Sequence, residues 1–136
     1  MSVASGEWIY FCDSDDFVQP QVFGGILRAA EERDLEMIVT HSLMVRENAP
    51  LPAAPRRNFS NVSATMTGLD YLGDLKAMFN WGVGSYRVKR SVIQDNGLSF
   101  EIINFAEDRL FKLDLLQVVS RLATIDVDLY YYVQHE

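Results

Sequence analysis

The feature that most constrains the fold is a short apolar run that stops at an acidic turn. Residues 8–12 read Trp-Ile-Tyr-Phe-Cys, and residues 13–16 read Asp-Ser-Asp-Asp. A continuous apolar run of this length predicts a strand that is buried on both faces. Pro20 suits the first turn of a helix that runs at helical spacing to Ala30, and strand-like sequence returns at 35–45. This order predicts an α/β fold with a mixed sheet, in which Trp8–Cys12 is a central strand whose carboxyl edge carries the acidic turn.

Length, charge and cysteine content narrow the class of protein. The 136 residues fit one domain, and the formal charge of −7 argues against a protein that binds nucleic acid through its phosphates. The one cysteine, Cys12, excludes an internal disulfide and a Cys-rich zinc module, and its apolar neighbours favour a buried thiol. No apolar stretch approaches the ~18–20 residues of a membrane span, and the first residues do not form a signal-peptide pattern.

The sequence after residue 45 predicts a long loop followed by further helices and strands. Residues 46–66 contain Pro50, Pro52 and Pro55, which predict a long irregular loop whose Arg56 and Arg57 are solvated rather than a phosphate clamp. Beyond this loop the sequence predicts, in order, a helix from an N-cap at Thr67 to Phe79, a strand at 82–90, a short helix at 91–95, a long helix at 107–122 and a Tyr-rich strand at 125–133.

The acidic turn has two possible interpretations. Three carboxylates within four residues repel one another unless a cation or solvent relieves them. Ligand sites in open α/β sheets lie at the carboxyl ends of strands, and carboxylate oxygens suit Mg²⁺ or Mn²⁺. The alternative is an acidic turn that only caps the following helix. Spacing alone leaves both readings open.

A second carboxylate stands out at the start of the long helix. The apolar stripe Phe111, Leu115 and Val118, projected back one turn, places Asp108 on the same inward face. A carboxylate in that position can act as a general base. The alternative is that Glu107 and Asp108 are only favourable residues for a first helical turn.

Four motifs together resemble glycosyltransferase family two. The stretch ASGEWIYFCDSDDFVQPQVF is similar to the family's segment in which an A-x-G-E-[YW] start leads into D-x-D-D. Phe100 and residues 107–111 match an aromatic residue followed by E-D-x-x-F, and residues 86–90 match a basic Tyr-x-x-x-Arg strand. Residues 129–132 match the closing Leu-Tyr-x-Tyr strand. All four motifs occur in the family's order across nearly the whole chain.

The resemblance implies a GT-A fold, a Rossmann-like domain with a mixed sheet flanked by helices. It implies inverting transfer of a sugar from a nucleotide-sugar donor to a hydroxyl of a glycan or lipid-linked acceptor, with Mg²⁺ or Mn²⁺ as cofactor. The implied site consists of Asp108 as the base, Asp15, Asp13 and His135 at the metal, and Asp13, Asp16, Trp81 and Glu107 as contacts to the substrates.

The resemblance also leaves part of the family's domain unmatched. Residues 1–136 hold no counterpart of the N-terminal nucleotide-binding half, so we expect a single partial domain from a longer enzyme, with self-association as one way to cover the open surface. We expect a cytoplasmic location, with attachment to the inner face of the membrane as a further option. Two alternatives remain, an inactive half-domain and a haloacid-dehalogenase-like phosphatase, although the phosphatase pattern wants Thr or Val where Phe17 stands.

Overall fold

The computed structural model describes residues 3–48, 50, 52, 55–74, 82–103 and 105–135, which form a sheet with helices on both faces. The strands are β1 (Trp8–Tyr10), β2 (Phe17–Val18), β3 (Met37–Arg46), β4 (Arg57–Val62), β5 (Tyr86–Lys89) and β6 (Leu122–Gln134). The helices are α1 (Phe23–Glu32), α2 (Gly68–Gly73), α3 (Arg90–Asp95) and α4 (Glu107–Val118), with 3₁₀ turns at Pro20–Val22 and Val83–Ser85. In the described ranges, none of the helices is long and apolar enough to cross a membrane.

The sheet is mixed, which confirms the predicted α/β class. Its strand order is β1-β5-β3-β6-β2, and β4 pairs with β6 outside this path. Strands β3 and β6 are parallel, whereas β5 runs antiparallel to both β1 and β3. Strands β1, β3 and β6 therefore point the same way, and their carboxyl ends meet at one edge of the sheet.

Two apolar clusters hold helices against the two faces of the sheet. On one face, Ile26 and Ala30 of α1 pack with Ile38 and Val127 of the sheet. On the other face, the cluster joins residues of α2, α3 and α4 to the sheet, and its fully buried members include Phe111. Successive strand residues point to opposite faces, so each strand contributes side chains to both clusters.

The first strand lies at the end of the sheet, which corrects the prediction of a central strand. Among the described strands, β1 pairs with β5 alone, and it ends at Tyr10 rather than Cys12. Its residues are apolar because both faces of the sheet are covered. An apolar pattern therefore does not tell whether a strand lies in the middle of the sheet or at its end. Cys12 is exposed, so the predicted buried thiol is also wrong.

The loop predicted at 46–66 contains a strand. Strand β4 pairs antiparallel with β6, although its sequence, RNFSNV, has no apolar alternation that would have revealed it. Arg56, just before the strand, and Arg57, its first residue, are exposed as predicted, but each also has a side-chain partner. Arg56 Nε donates to Asp128 Oδ1 at 2.8 Å, and an Arg57 guanidinium nitrogen donates to Gln19 Oε1 at 3.0 Å.

Two of the predicted helices differ from the prediction at their ends. Thr67 caps α2 through a capping box with Asp70, as predicted, and the part of the predicted helix from residue 75 to Phe79 lies outside the described residues. Helix α4 ends at Val118, which is partly exposed, and the buried residue at its end is Val119. Leu122 belongs to β6, because the chain turns sharply at Ser120 and Arg121 to enter the sheet.

That turn is held by a carboxylate from the start of β3. Glu36 Oε2 accepts hydrogen bonds from the Ser120 amide at 2.8 Å, the Ser120 hydroxyl at 2.9 Å and the Arg121 amide at 3.1 Å. Desolvation raises the pKa of the Glu36 carboxyl, but the hydrogen bonds from Ser120 and Arg121 outweigh it, so the net pKa is lowered. The carboxylate thus fixes where the β3–β6 pairing begins.

We predict that Glu36→Gln lowers stability at neutral pH by about 1–3 kcal/mol, because the neutral amide weakens the three hydrogen bonds to Oε2 and removes the ion pair of Oε1 with the Arg121 guanidinium, 3.2 Å away. A lowered pKa in the folded state gives stability that is present above the usual glutamate value of 4.5 and is lost as pH falls through the folded-state value. The variant should therefore lose less stability between neutral and acid pH than the parent, measured by urea unfolding. The matched control is Glu31→Gln on the exposed surface of α1; equal loss in both variants would contradict the prediction.

Candidate functional site

The acidic turn crosses the carboxyl edge of the sheet from β1 to β6. After β1, residues 13–16 reverse the chain, and the Asp16 amide donates to the Asp13 carbonyl at 3.3 Å. Strand β2 follows at once and pairs antiparallel with β6, with Phe17 opposite Tyr131. The turn therefore sits at the edge where β1, β3 and β6 end, as the sequence predicted.

Two groups of β6 hold the turn in place. The Tyr130 hydroxyl lies within hydrogen-bond distance of both Asp13 Oδ2, at 3.2 Å, and Asp16 Oδ2. The Val133 amide donates to Asp16 Oδ1 at 2.8 Å, so both oxygens of Asp16 have protein partners. Asp16 thus anchors the turn, whereas Asp13 and Asp15 are more exposed.

Tyr130 is itself positioned by a close approach of the main chain. A Cβ added to Gly84 would collide with the Tyr130 ring, so only glycine fits there. The Gly84 carbonyl also accepts a hydrogen bond from the Tyr10 hydroxyl at 3.1 Å. One glycine therefore connects the end of β1 with the tyrosine that holds the acidic turn.

Three phenylalanines connect the acidic turn with the start of α4. Phe11, which precedes the turn, contacts Phe111 of α4 with ring centroids 5.6 Å apart, and Phe100 stacks on Phe111 at 4.3 Å. Asp108 lies one helical turn before Phe111 and is half-buried. Its Oδ1 accepts the Arg109 amide at 2.8 Å, and Ala106, the residue before the helix, adopts a left-handed φ of 64°. The aromatic contacts thus fix the relative positions of the two acidic regions.

The two acidic regions also interact electrostatically. Partial desolvation raises the pKa of the Asp13 carboxyl, and the hydrogen bond from Tyr130 opposes that shift. Three negative charges raise the same pKa further, those of Asp16, Asp15 and Asp108. Asp108 therefore acts on Asp13 through space. This is the charge crowding that a cation relieves.

A buried cation lies one turn beyond Asp108. Lys112 is 1% exposed, and its Nζ lies 3.3 Å from Ser85 Oγ and 5.4 Å from the centre of the Tyr86 ring. Desolvation lowers the pKa of Lys112 to about 8, and the charge of Asp108 opposes the shift. The ammonium group is therefore still charged at neutral pH on the inner side of α4.

The structure brings Asp15 together with His135. His135 Nε2 lies 3.5 Å from Asp15 Oδ2, and its Nδ1 lies 3.2 Å from Glu47 Oε2. In the described part of the chain, no three side chains of His, Cys, Asp or Glu converge to enclose a metal ion. Mg²⁺ and Mn²⁺ are commonly held by one or two carboxylates together with substrate phosphates, and the exposed pair Asp13 and Asp15 fits that kind of site.

The structure does not test two of the predicted substrate contacts, and two residues that hold the site were not predicted. Trp81 lies outside the described residues, and Glu107 is exposed at the start of α4. Tyr130 and Glu47 were not predicted as site residues, and their partners lie 114–117 residues and 88 residues away in the chain. No local pattern encodes contacts over such separations. The roles assigned to the other site residues stay predictions.

Comparisons with known proteins support a glycosyltransferase-like fold. No protein-family model matches the chain. An uncharacterised glycosyltransferase, EpsJ of Bacillus subtilis, is 27% identical over 97% of this chain, which spans 39% of that relative. Crystal structures of S. aureus TarS residues 1–349, alone and in complex with UDP-GlcNAc, match with TM-scores of 0.72 and 0.74 at 20% identity. They cover 97% and 99% of this chain, which spans 37% of each of them.

We predict that Gly84→Ala displaces Tyr130 and lowers the free energy of unfolding by about 1–3 kcal/mol through overpacking. Loss of the Tyr130 contacts should also release the acidic turn, seen as faster amide exchange at Asp13 and Asp16. The matched control is Gly24→Ala in α1, where the added methyl group meets nothing within 4 Å and should stabilise the helix by about 0.5–1 kcal/mol. Unchanged stability and exchange in Gly84→Ala would contradict the proposed packing.

Proposed function

We propose that this chain is part of an inverting glycosyltransferase of family two, which transfers a sugar from a nucleotide-sugar donor to a hydroxyl of a glycan or lipid-linked acceptor. The observation that carries the proposal is the Phe11–Phe111 contact, which joins the segment before the acidic turn to the first turns of α4, where Asp108 lies within electrostatic reach of Asp13. The similarity to a protein named a glycosyltransferase and to TarS, which was crystallised with UDP and UDP-GlcNAc, supports this over the phosphatase alternative. The chain spans 37–39% of the length of these proteins, and the activity is proposed for a protein of which this chain would be one part.

In this proposal the acidic turn binds the diphosphate end of the donor. Asp15, with Asp13 and His135, would hold Mg²⁺ or Mn²⁺, and Asp13 would also contact the sugar or ribose. When bound, the divalent ion supplies positive charge that offsets the charge of the leaving diphosphate. Asp16 keeps the turn in place through Tyr130 and Val133, so we assign it a positioning role rather than direct contact with the donor.

Asp108 is the proposed general base. Its carboxylate takes the proton of the acceptor hydroxyl as the acceptor oxygen bonds to the anomeric carbon of the sugar. The bond from that carbon to the diphosphate breaks on the opposite face, and its electron pair leaves with the diphosphate, which inverts the configuration. The half-buried position of Asp108, with Phe111 behind it and Asp13 within electrostatic reach, supports this assignment. Glu107, next to it and exposed, and Trp81 are proposed contacts to the substrates.

The second candidate is an inactive half-domain that retains the fold without the chemistry. Its support is the short span of the chain relative to EpsJ and TarS. Against it, Asp13 and Asp15 have partners far away in the chain, Tyr130 and His135, and Asp108 lies on a helix that packs against the sheet. Self-association through the open β1 side of the sheet is a further proposal for this case, and sedimentation of the purified chain tests it.

We predict that Mn²⁺ binds weakly to the chain alone and more tightly when UDP supplies phosphate oxygens, because the protein offers too few ligands to complete the shell. Asp15→Asn should remove most of the UDP-dependent increase in affinity, measured by electron paramagnetic resonance of free Mn²⁺. Asp95→Asn, at the exposed end of α3, is the control that should bind like the parent. Equal binding by parent and Asp15→Asn would remove Asp15 from the metal role.

We predict that Asp108→Asn lowers turnover by about 10²–10⁴-fold in a longer protein that carries this segment with a nucleotide-binding half, the usual effect of losing a general base. The affinity for the donor should barely change, because the base does not hold the nucleotide. Asp114→Asn, on the exposed side of the same helix, should keep normal turnover. Full activity of Asp108→Asn would make the catalytic assignment wrong.

A further inference from the structure

A cavity of about 500 Å³ lies between β3 and β6, on the face of the sheet that α2 and α4 cover. It forms where the two strands separate. Val39 pairs with Thr124 and His41 pairs with Asp128, so residues 125–127 of β6 cross a gap that one residue of β3 spans. The extra residues of β6 pair with β4 instead. The cavity is therefore built into the main chain and does not depend on one side-chain rotamer.

The described lining of the cavity is polar but carries little charge. Five lining residues have hydroxyl groups: Thr40, Ser42, Ser63, Tyr71 and Thr124. Met66 and the Tyr71 ring supply apolar surface, Asp74 supplies a carboxylate, and His41 supplies an imidazole whose Nε2 lies 3.2 Å from Asp126 Oδ1. No lysine or arginine occurs among the described lining residues. The Asp74 carboxylate repels phosphates and other anions, and the imidazole of His41 is already paired with Asp126. Hydroxyl groups donate to and accept from a ligand that is itself rich in hydroxyls.

Two connections place the cavity next to the candidate site. Ser42 pairs in the sheet with Tyr130, whose hydroxyl holds the acidic turn. Tyr71, in the lining, lies with its ring centre 5.9 Å from Nζ of Lys112, one helical turn beyond Asp108. The cavity thus shares a face of the sheet with α4, and it adjoins Tyr130, which contacts the acidic turn, and Lys112, on which the charge of Asp108 acts.

We propose that this cavity is a subsite for an uncharged saccharide, and that it holds the part of the acceptor next to the hydroxyl that reacts. The inference rests on the proposed function and adds the chemical class of the acceptor. Its volume lies in the range of roughly 300–1,000 Å³ that is typical of small-molecule sites. The donor diphosphate, which is anionic, goes to the acidic turn with its cation, and the neutral sugar goes to the hydroxyl-lined cavity. The two substrates are therefore sorted by charge.

The test is an amide NMR titration of the ¹⁵N-labelled full chain with N,N′-diacetylchitobiose as the neutral probe. We expect shifts at Thr40 and Ser42 of β3 and at Thr124 of β6. Ser42→Ala, at the exposed rim, and Thr124→Val, which keeps the side-chain shape, should together weaken binding about tenfold or more. The control is Ser60→Ala on β4, whose hydroxyl bonds to Asn58 away from the cavity. Ser42→Ala alone gives a readout if the double variant does not fold.

Several results would overturn the inference. These are a folded spectrum without shifts at the cavity, shifts confined to the acidic turn, unchanged affinity in Ser42→Ala and the double variant, and equal binding of glucuronic acid as an anionic probe. A separate titration of the same sample with UDP and Mn²⁺ reports on residues 13–16. If that titration fails while the saccharide binds, the donor site of the proposed function is wrong and the saccharide subsite stands. The reverse pair of results would leave the donor site and remove the subsite.

Discussion

The structure depends on the way in which β6 divides its hydrogen bonds among three partners. Its first residues and its last residues pair with β3, its middle residues pair with β4, and β2 joins it near Tyr130. Each change of partner leaves main-chain groups that need new acceptors or donors. Residues from the β4 region supply them, since the Thr124 amide binds Ser63 Oγ at 3.0 Å and the Asp128 amide binds the Arg56 carbonyl at 3.0 Å. This division both opens the cavity and directs Tyr130 toward the acidic turn.

Charge is distributed unevenly around this framework. The carboxylates of the acidic turn and Asp108 crowd one edge of the sheet, while two cations lie buried on its two faces. Arg87 is enclosed beside the Tyr10 and Phe23 rings, with its guanidinium carbon 4.4 Å and 5.0 Å from their centres. Desolvation lowers the pKa of Arg87 to about 10 and the pKa of Lys112 to about 8, so both side chains stay charged at neutral pH. The Lys112 charge lies near enough to Asp108 to offset part of the repulsion there.

The sequence predicts local secondary structure well and the order of the strands in the sheet poorly. Features that depend on neighbours in the chain could be predicted. These are the apolar run before the acidic turn, the N-cap at Thr67 and the periodic helix after Pro20. The position of β1 at the end of the sheet could not be predicted, since a strand covered on both faces has the same apolar sequence pattern wherever it lies in the sheet. Strand β4 was missed because it is polar and is held by its pairing with β6, a tertiary contact that outweighs its weak propensity.

For the candidate site, the sequence supplies the reactive side chains but not the contacts that position them. Asp13, Asp15 and Asp108 were identified from the spacing of carboxylates and from the family resemblance. The supporting groups lie far away in the chain: Gly84 and Tyr130 for the acidic turn, and the Phe11–Phe111 contact for its distance from α4. These groups act by shape and long-range packing, for which a single sequence carries no local signal.

The position of β6 in the chain has a consequence for how the protein is made. Every strand that pairs with β6 precedes it in the sequence, so each leaves the ribosome before its partner exists. Until β6 emerges, β3 lacks one neighbour, β2 and β4 lack the strand with which they pair, and the acidic turn has no tyrosine to hold it. The nascent chain therefore carries unpaired strand edges until β6 emerges, and such edges are where chains associate wrongly with one another and require chaperones.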